Sequence, residues 1–106
     1  AEIEAEEVMD AINKEKDVVI LDVRTEHEYS RGHIAGSLNI PIEKLPSLVP
    51  KTFKDKDREI YVYCLSGSRS TLAVSEMLQM GYKKVFNLRS GLLSWRSNGY
   101  PLSIID

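Results

Sequence analysis

The only cysteine of this chain stands at the head of Cys64-Leu65-Ser66-Gly67-Ser68-Arg69-Ser70, a run of residue types suited to holding an anion. Gly67 lets the main chain curl, and if a helix follows, its first N–H groups turn toward the sulfur at the positive end of the helix dipole. Ser66, Ser68 and Ser70 add hydroxyl donors, and Arg69 adds a permanent cation expected beside the thiol. Such surroundings take a cysteine from a pKa of roughly 8.5 to about 3.5–7.5, so the expected species at neutral pH is a nucleophilic thiolate. The plain alternative is a small buried hydrophobe. An inert thiol, however, needs no ring of donors.

The spacing bears on which chemistry. A cysteine that attacks phosphate needs a cradle wide enough for a tetrahedral oxyanion, a need met by Cys-x5-Arg. Here Leu65, Ser66, Gly67 and Ser68 alone separate Cys64 from Arg69, so the ring is one residue smaller. A single extra sulfur atom fits it better than a phosphoryl group, which favours sulfur transfer through a persulfide over ester hydrolysis.

The elements that must carry this loop can be read on both sides of it. Ile60-Tyr61-Val62-Tyr63 is a β-branched and aromatic run that predicts a strand, with the charged residues 54–58 on the surface before it. Residues 70–80 predict a helix with Thr71, Ser75 and Gln79 as one polar stripe. Leu72, Ala73, Val74, Met77, Leu78 and Met80 cover the rest, so this helix is expected to be largely buried, with Gly81 ending it. The cysteine then lies at a strand's carboxyl end, where open α/β sheets place their sites.

Elsewhere, Ala5, Val8, Met9 and Ile12 predict an amphipathic helix over about 4–14, and Val18-Val19-Ile20-Leu21 predicts a strand covered on both faces. Thr25 with Glu28 forms a capping-box pattern for a short helix ending near Gly32. Residues 37–40 predict a strand closed by Pro41. Ile42, Leu45, Leu48 and Val49 then suggest a helix interrupted by Pro46 and stopped by Pro50. Residues 84–88 predict the last strand, and Leu92 with Trp95 mark the inner face of a final helix before Asn98-Gly99. This alternation argues for an α/β sandwich with a mostly parallel central sheet flanked by helices. No repeat or linker divides residues 1–106, which are expected to form a single domain.

The pattern Cys-x-x-Gly-x-Arg-Ser, with Cys64, Gly67, Arg69 and Ser70 at the matching positions, resembles the active loop of single-domain rhodanese-like sulfurtransferases. Leu21-Asp22-Val23-Arg24 with Glu28-Tyr29 is similar to that family's first block, and residues 32–41 to its second. Gly91, Trp95, Gly99 and Pro101 resemble the closing block, although Ser90 replaces the first glycine of its pair and can change the backbone beside the loop. Some thiosulfate-using relatives carry basic residues just after the cysteine, where this chain has Leu65 and Ser66. The resemblance implies the rhodanese-like three-layer sandwich and a cycle in which Cys64 takes a sulfane sulfur from a donor such as thiosulfate. The sulfur then passes to cyanide, a thiol or a protein cysteine, with no metal or organic cofactor.

Composition sets wider bounds. With 14 basic and 16 acidic residues the net charge is −2, which argues against nucleic acid or an acidic membrane surface as partner. No apolar run approaches the roughly 18 residues of a membrane span. One cysteine excludes an internal disulfide framework, and a reactive lone thiol suits a reducing compartment, so a cytoplasmic location is expected; a cleaved export signal would leave no trace here.

Other polar residues have plainer readings. His27 is expected on an exposed helix, His33 as a tie between loop and backbone, and Trp95 in the core. Asp22, at the end of the first buried strand, could accept hydrogen bonds from the active loop. Arg24 could pair with Glu28 across one helical turn. Three functions stay open: a persulfide-forming sulfurtransferase, a non-catalytic module of the same fold that binds or regulates a partner, and a phosphatase or arsenate reductase.

Overall fold

The computed structural model describes residues 1–104. Five strands, β1 (Glu2–Ile3), β2 (Val19–Asp22), β3 (Leu38–Asn39), β4 (Glu59–Tyr63) and β5 (Lys84–Leu88), form one sheet in the order β1-β5-β4-β2-β3 with every pairing parallel. Five α-helices connect them: α1 (Ala5–Asn13), α2 (Glu26–Ser30), α3 (Leu45–Thr52), α4 (Ser68–Gln79) and α5 (Gly91–Ser97). Parallel strands need such crossovers, and the crossovers cover both faces. Leu21, Ile60, Val62 and Val85 pack beneath α3 and α4, while Ile20, Tyr61, Tyr63 and Leu88 pack beneath α1 and α5. The result is the three-layer α/β sandwich that the alternation of strand and helix predicted. Among the described residues no helix is long and apolar enough to cross a membrane.

Three local expectations change. The helix after the loop begins at Ser68 rather than residue 70, and it buries one face only: Ala73, Val74 and Met77 are inside, whereas Leu72 and Leu78 are 66% and 45% exposed. Pro46 does not interrupt the third helix. It lies in that helix's first turn, where the missing N–H has no partner to lose, after a 3-10 turn at Ile42–Lys44. Pro50 also fails to stop it. Both prolines are exposed, and the helix runs on to Thr52 without the hydrogen bond that Pro50 cannot donate. The Tyr82 hydroxyl then donates to the Val49 and Phe53 carbonyls at its end. Strand β1, only two residues long, gave no periodic signal at all.

β4 is the middle strand, so Cys64 emerges at the centre of the sheet's carboxyl edge. Beside it, α5 docks with its first turn against the loop: Leu92 N–H donates to the Cys64 carbonyl at 3.0 Å and Leu93 N–H to the Leu65 carbonyl at 3.1 Å. Gly91 permits this approach. Its φ is +50°, and a Cβ there would lie within 2.7 Å of the Leu65 carbonyl oxygen, closer than side-chain carbons come to backbone. We expect Gly91→Ala to cost about 1–3 kcal/mol through backbone strain and forced separation of helix and loop. Thermal unfolding checks this, at roughly 4–8 °C lost per kcal/mol in a domain of this size.

Candidate active site

The loop amides point at the sulfur because the carbonyls have partners elsewhere. The Cys64 and Leu65 carbonyls accept from α5, and the Gly67 carbonyl accepts from the Thr71 amide and hydroxyl, with the Ser70 hydroxyl 3.2 Å away. With those oxygens engaged, Gly67 N–H donates to Cys64 Sγ at 3.1 Å and Ser70 N–H donates to it at 3.3 Å. Gly67, at φ +106°, makes the left-handed turn into α4 that brings both amides round. Ser90 sits against this turn and is itself left-handed at φ +59°, a conformation that glycine adopts without strain.

Cys64 is fully covered, with no exposed surface. Burial pushes its thiol up; the Ser70 hydroxyl, whenever its proton is turned to the sulfur, and the amides of Ser70, Gly67 and Ser66 pull it down, and the donors prevail, leaving it below the ordinary thiol range. The sulfur therefore points into a cup of N–H groups, even though its walls on the α4 side are apolar.

Each remaining loop residue has a definite place. Ser70 is fully buried, with its hydroxyl 3.4 Å from the sulfur. Ser66 and Ser68 face each other at 3.4 Å on the surface and do not reach Sγ, so of the three expected hydroxyls only that of Ser70 lies within reach of the thiol. Leu65 is 39% exposed at the outer edge.

Arg69 has a carboxylate partner that the loop sequence did not show. Its guanidinium forms a bidentate pair with Glu28 at 2.7 and 3.0 Å, which ties the loop to α2. Glu28 is doubly employed, because the same carboxylate accepts the Thr25 N–H in the capping box. The Arg24–Glu28 pair read from the sequence is thereby replaced. Arg24 instead chelates Asp22, with Nη2 to Oδ2 at 2.7 Å, and donates to the Gly32 carbonyl at 2.7 Å. Asp22 is fully buried and also accepts the Arg24 N–H at 2.9 Å. Its oxygens thus serve Arg24 rather than the loop, and the two residues brace β2 against the segment at Gly32.

His33 does tie the chain down. Nδ1 lies 2.8 Å from the Tyr29 carbonyl, and its amide and carbonyl pair with Ser103. Trp95 is core, 1% exposed, and donates to the Pro101 carbonyl. His27 is exposed. Among the described residues no group of three His, Cys, Asp or Glu side chains could hold a metal ion.

Two participants had no sequence signal. Asn87, on β5, accepts the Ser70 hydroxyl proton on Oδ1 and donates from Nδ2 to Glu2 at 3.1 Å. Tyr63, beside the cysteine, donates or accepts at three groups: its hydroxyl lies 3.1 Å from both the Ile34 N–H and Ser37 Oγ, and its ring carries the Arg24 guanidinium 5.8 Å from the centroid. In the sequence both stand only as members of predicted strands.

A cavity of about 240 Å³ adjoins the loop, lined in part by Leu65, Leu92, Leu102, Arg31 and Arg96. Among the described residues neither Arg31 nor Arg96 has a carboxylate partner. The site thus joins a thiol stabilised by neutral dipoles to a cleft with two available guanidinium groups.

Comparisons with known proteins agree with this geometry. The rhodanese-like domain description matches residues 4–98. A sulfurtransferase of Allochromatium vinosum is 35% identical over 101 residues, spanning 95% of this chain and 92% of that protein. The thiosulfate sulfurtransferase GlpE of Coxiella burnetii is 33% identical over 90 residues, spanning 85% of this chain and 81% of that one. The crystal structure of a rhodanese-related protein from Thermoplasma volcanium superposes with a TM-score of 0.86 at 33% identity, covering 98% of both chains.

The Arg69 guanidinium holds the Glu28 carboxyl down at about 2 from its ordinary 4.5. The pair therefore contributes stability that is complete above pH 4.5 and is lost as the pH falls through about 2. Both side chains are about one-third exposed, so the contribution is about 0.5–1 kcal/mol. Urea unfolding of Glu28→Gln against wild type is expected to show that gap at pH 7 and a shrinking gap between pH 4.5 and 2.

Proposed function

This chain belongs to the rhodanese-like family, and from that premise, with the inward-turned amides around Cys64, we propose that it is a sulfurtransferase whose Cys64 carries the transferred sulfur as a persulfide. The observation that carries the proposal is the pair of amides at 3.1 and 3.3 Å from Sγ, in a loop one residue shorter than Cys-x5-Arg. In the first step the Cys64 thiolate attacks the sulfane sulfur of a donor. A bond forms between Sγ and that sulfur, the donor's own S–S bond breaks, and its electron pair leaves with the departing group, sulfite when the donor is thiosulfate.

In the second step cyanide, a thiolate or a protein cysteine attacks the outer sulfur, and Cys64 leaves as the thiolate it began as. Electrons and protons balance across both steps without a metal or organic cofactor. The Gly67 and Ser70 amides oppose the charge on sulfur in both. Leu65, Ser66 and Ser68 form the outer rim that donors meet, and Arg69 holds the rim through Glu28. Because the thiol is covered, the rim must part for transfer. The cleft with Arg31 and Arg96 offers an approach for anionic donors and acceptors, a role that the loop itself, with Leu65 and Ser66 just after Cys64 and Arg69 paired to Glu28, does not fill. We place this activity in the cytoplasm, where a lone thiol stays reduced, and assign it to residues 1–106 as one domain.

Mass spectrometry after incubation with thiosulfate is expected to show wild type heavier by one sulfur atom and Cys64→Ser unchanged. Rates of loading are expected to rise with pH to a midpoint below that of an ordinary thiol. If neither thiosulfate nor any other sulfane donor loads the wild type, the transferase reading fails and a binding module of the same fold takes its place. Turnover of an aryl phosphate or arsenate would instead restore the phosphatase or reductase reading.

A further inference from the structure

Ser70 has one hydroxyl proton and three neighbours able to receive it. Cys64 Sγ lies at 3.4 Å, the Gly67 carbonyl at 3.2 Å, and Asn87 Oδ1 closest of all. A proton given to Asn87 leaves Ser70 facing the sulfur with lone pairs. Those lone pairs accept from a thiol S–H and repel a thiolate. A proton given to sulfur stabilises the thiolate. The hydroxyl's contribution to Cys64 therefore depends on what Asn87 presents.

What Asn87 presents is fixed from its other side. Its Nδ2 donates to Glu2 Oε2 at 3.1 Å, and a carboxylate can only accept. Were the amide reversed, Nδ2 would serve Ser70 and free the hydroxyl proton for sulfur, but Oδ1 would then confront the Glu2 carboxylate with no proton between them. Asn87 is 4% exposed, so solvent has little access to that oxygen. We propose that Glu2, acting through Asn87, fixes the direction in which Ser70 gives its proton and so limits the share of Cys64 present as thiolate. Glu2 is a positioning residue, placed there by the pairing of β1 with β5, in which Glu2 lies opposite Asn87.

Other charges face these groups. Glu2 also pairs with Arg89 at 3.1 Å, and Arg89 with Glu4 at 2.9 Å. Around the thiol, Arg69 is neutralised by Glu28 and Arg24 by Asp22, and burial keeps the Tyr63 phenol protonated. Removing the Glu2 carboxylate therefore changes one charge at the far end of the chain Glu2–Asn87–Ser70–Cys64, and a test must separate that charge from the hydrogen bond.

Glu2→Gln keeps the length of the side chain and can accept or donate, so Asn87 is free to reverse. The pH dependence of Cys64 alkylation by iodoacetamide, with thiolate ultraviolet absorbance, measures the outcome without any sulfur donor; the result is thus independent of whether the transferase reading stands. One hydrogen bond redirected to sulfur is expected to raise the thiolate-to-thiol ratio at fixed pH about three- to tenfold. The gain is expected to persist at high salt, to be absent in Glu4→Gln, and to vanish when Glu2→Gln is placed in a Ser70→Ala background. No gain, a gain erased by salt, an equal gain in Glu4→Gln, or an undiminished gain without the Ser70 hydroxyl would overturn the proposal. Because Glu2 is exposed at a sheet edge, its variant tests the relay even where Ser70→Ala does not fold, through the salt and Glu4 comparisons.

Discussion

The site depends on the docking of the first turn of α5 against the carbonyls of Cys64 and Leu65. A helix start has N–H groups with no partner in its own helix, and a tight loop has carbonyls that must point somewhere. Joining the two solves both problems at once and leaves the loop with its amides facing inward. Everything that makes Cys64 unusual follows from that orientation. The parallel sheet contributes by bringing the end of β4 and the start of α5 to the same edge, and Gly91 by having no side chain to hold them apart.

The electrostatics are arranged differently from what a cysteine followed by an arginine suggests. Both arginines near the thiol are committed: Arg69 to Glu28 and Arg24 to Asp22. The buried pair braces one strand end, and the half-exposed pair fastens the loop to α2. What remains for the sulfur is a set of neutral dipoles in a site closed to water, where such dipoles act strongly and are little screened by salt. Thiol acidity in this arrangement depends on the direction of a few hydrogen bonds rather than on the nearness of a cation. That makes the orientation of one hydroxyl, Ser70, and of one amide, Asn87, consequential for the chemistry.

Much of the fold could be read along the chain. The continuous apolar run ending at Leu21 and the β-branched run ending at Tyr63 were legible because a strand buried on both faces shows no alternation to be confused. The Thr25–Glu28 capping box was legible because both partners lie within one turn. Misreadings fell where a local rule met a particular exposure. Pro50 was tolerated at an exposed position near the end of its helix, and Leu72 and Leu78 stayed outside although apolar, since no element covers that side of α4. Two-residue β1 was missed because so short a strand has no period; its pairing with β5 alone defines it.

By itself the sequence determined that a lone cysteine stands after a buried strand, before a helix, with glycine, serine and arginine between, and that its loop is short. Those are properties of neighbours in the chain, and local geometry follows from them. Only the tertiary structure decided which groups serve that sulfur. Glu28 lies 41 positions from Arg69 and Glu2 lies 85 from Asn87, yet each pair is in hydrogen-bond contact. A side chain with several possible partners takes the one that folding brings within about 3 Å. No spacing along the chain records that choice, because parallel pairing places residues together through crossovers whose length says nothing of which side chains will meet.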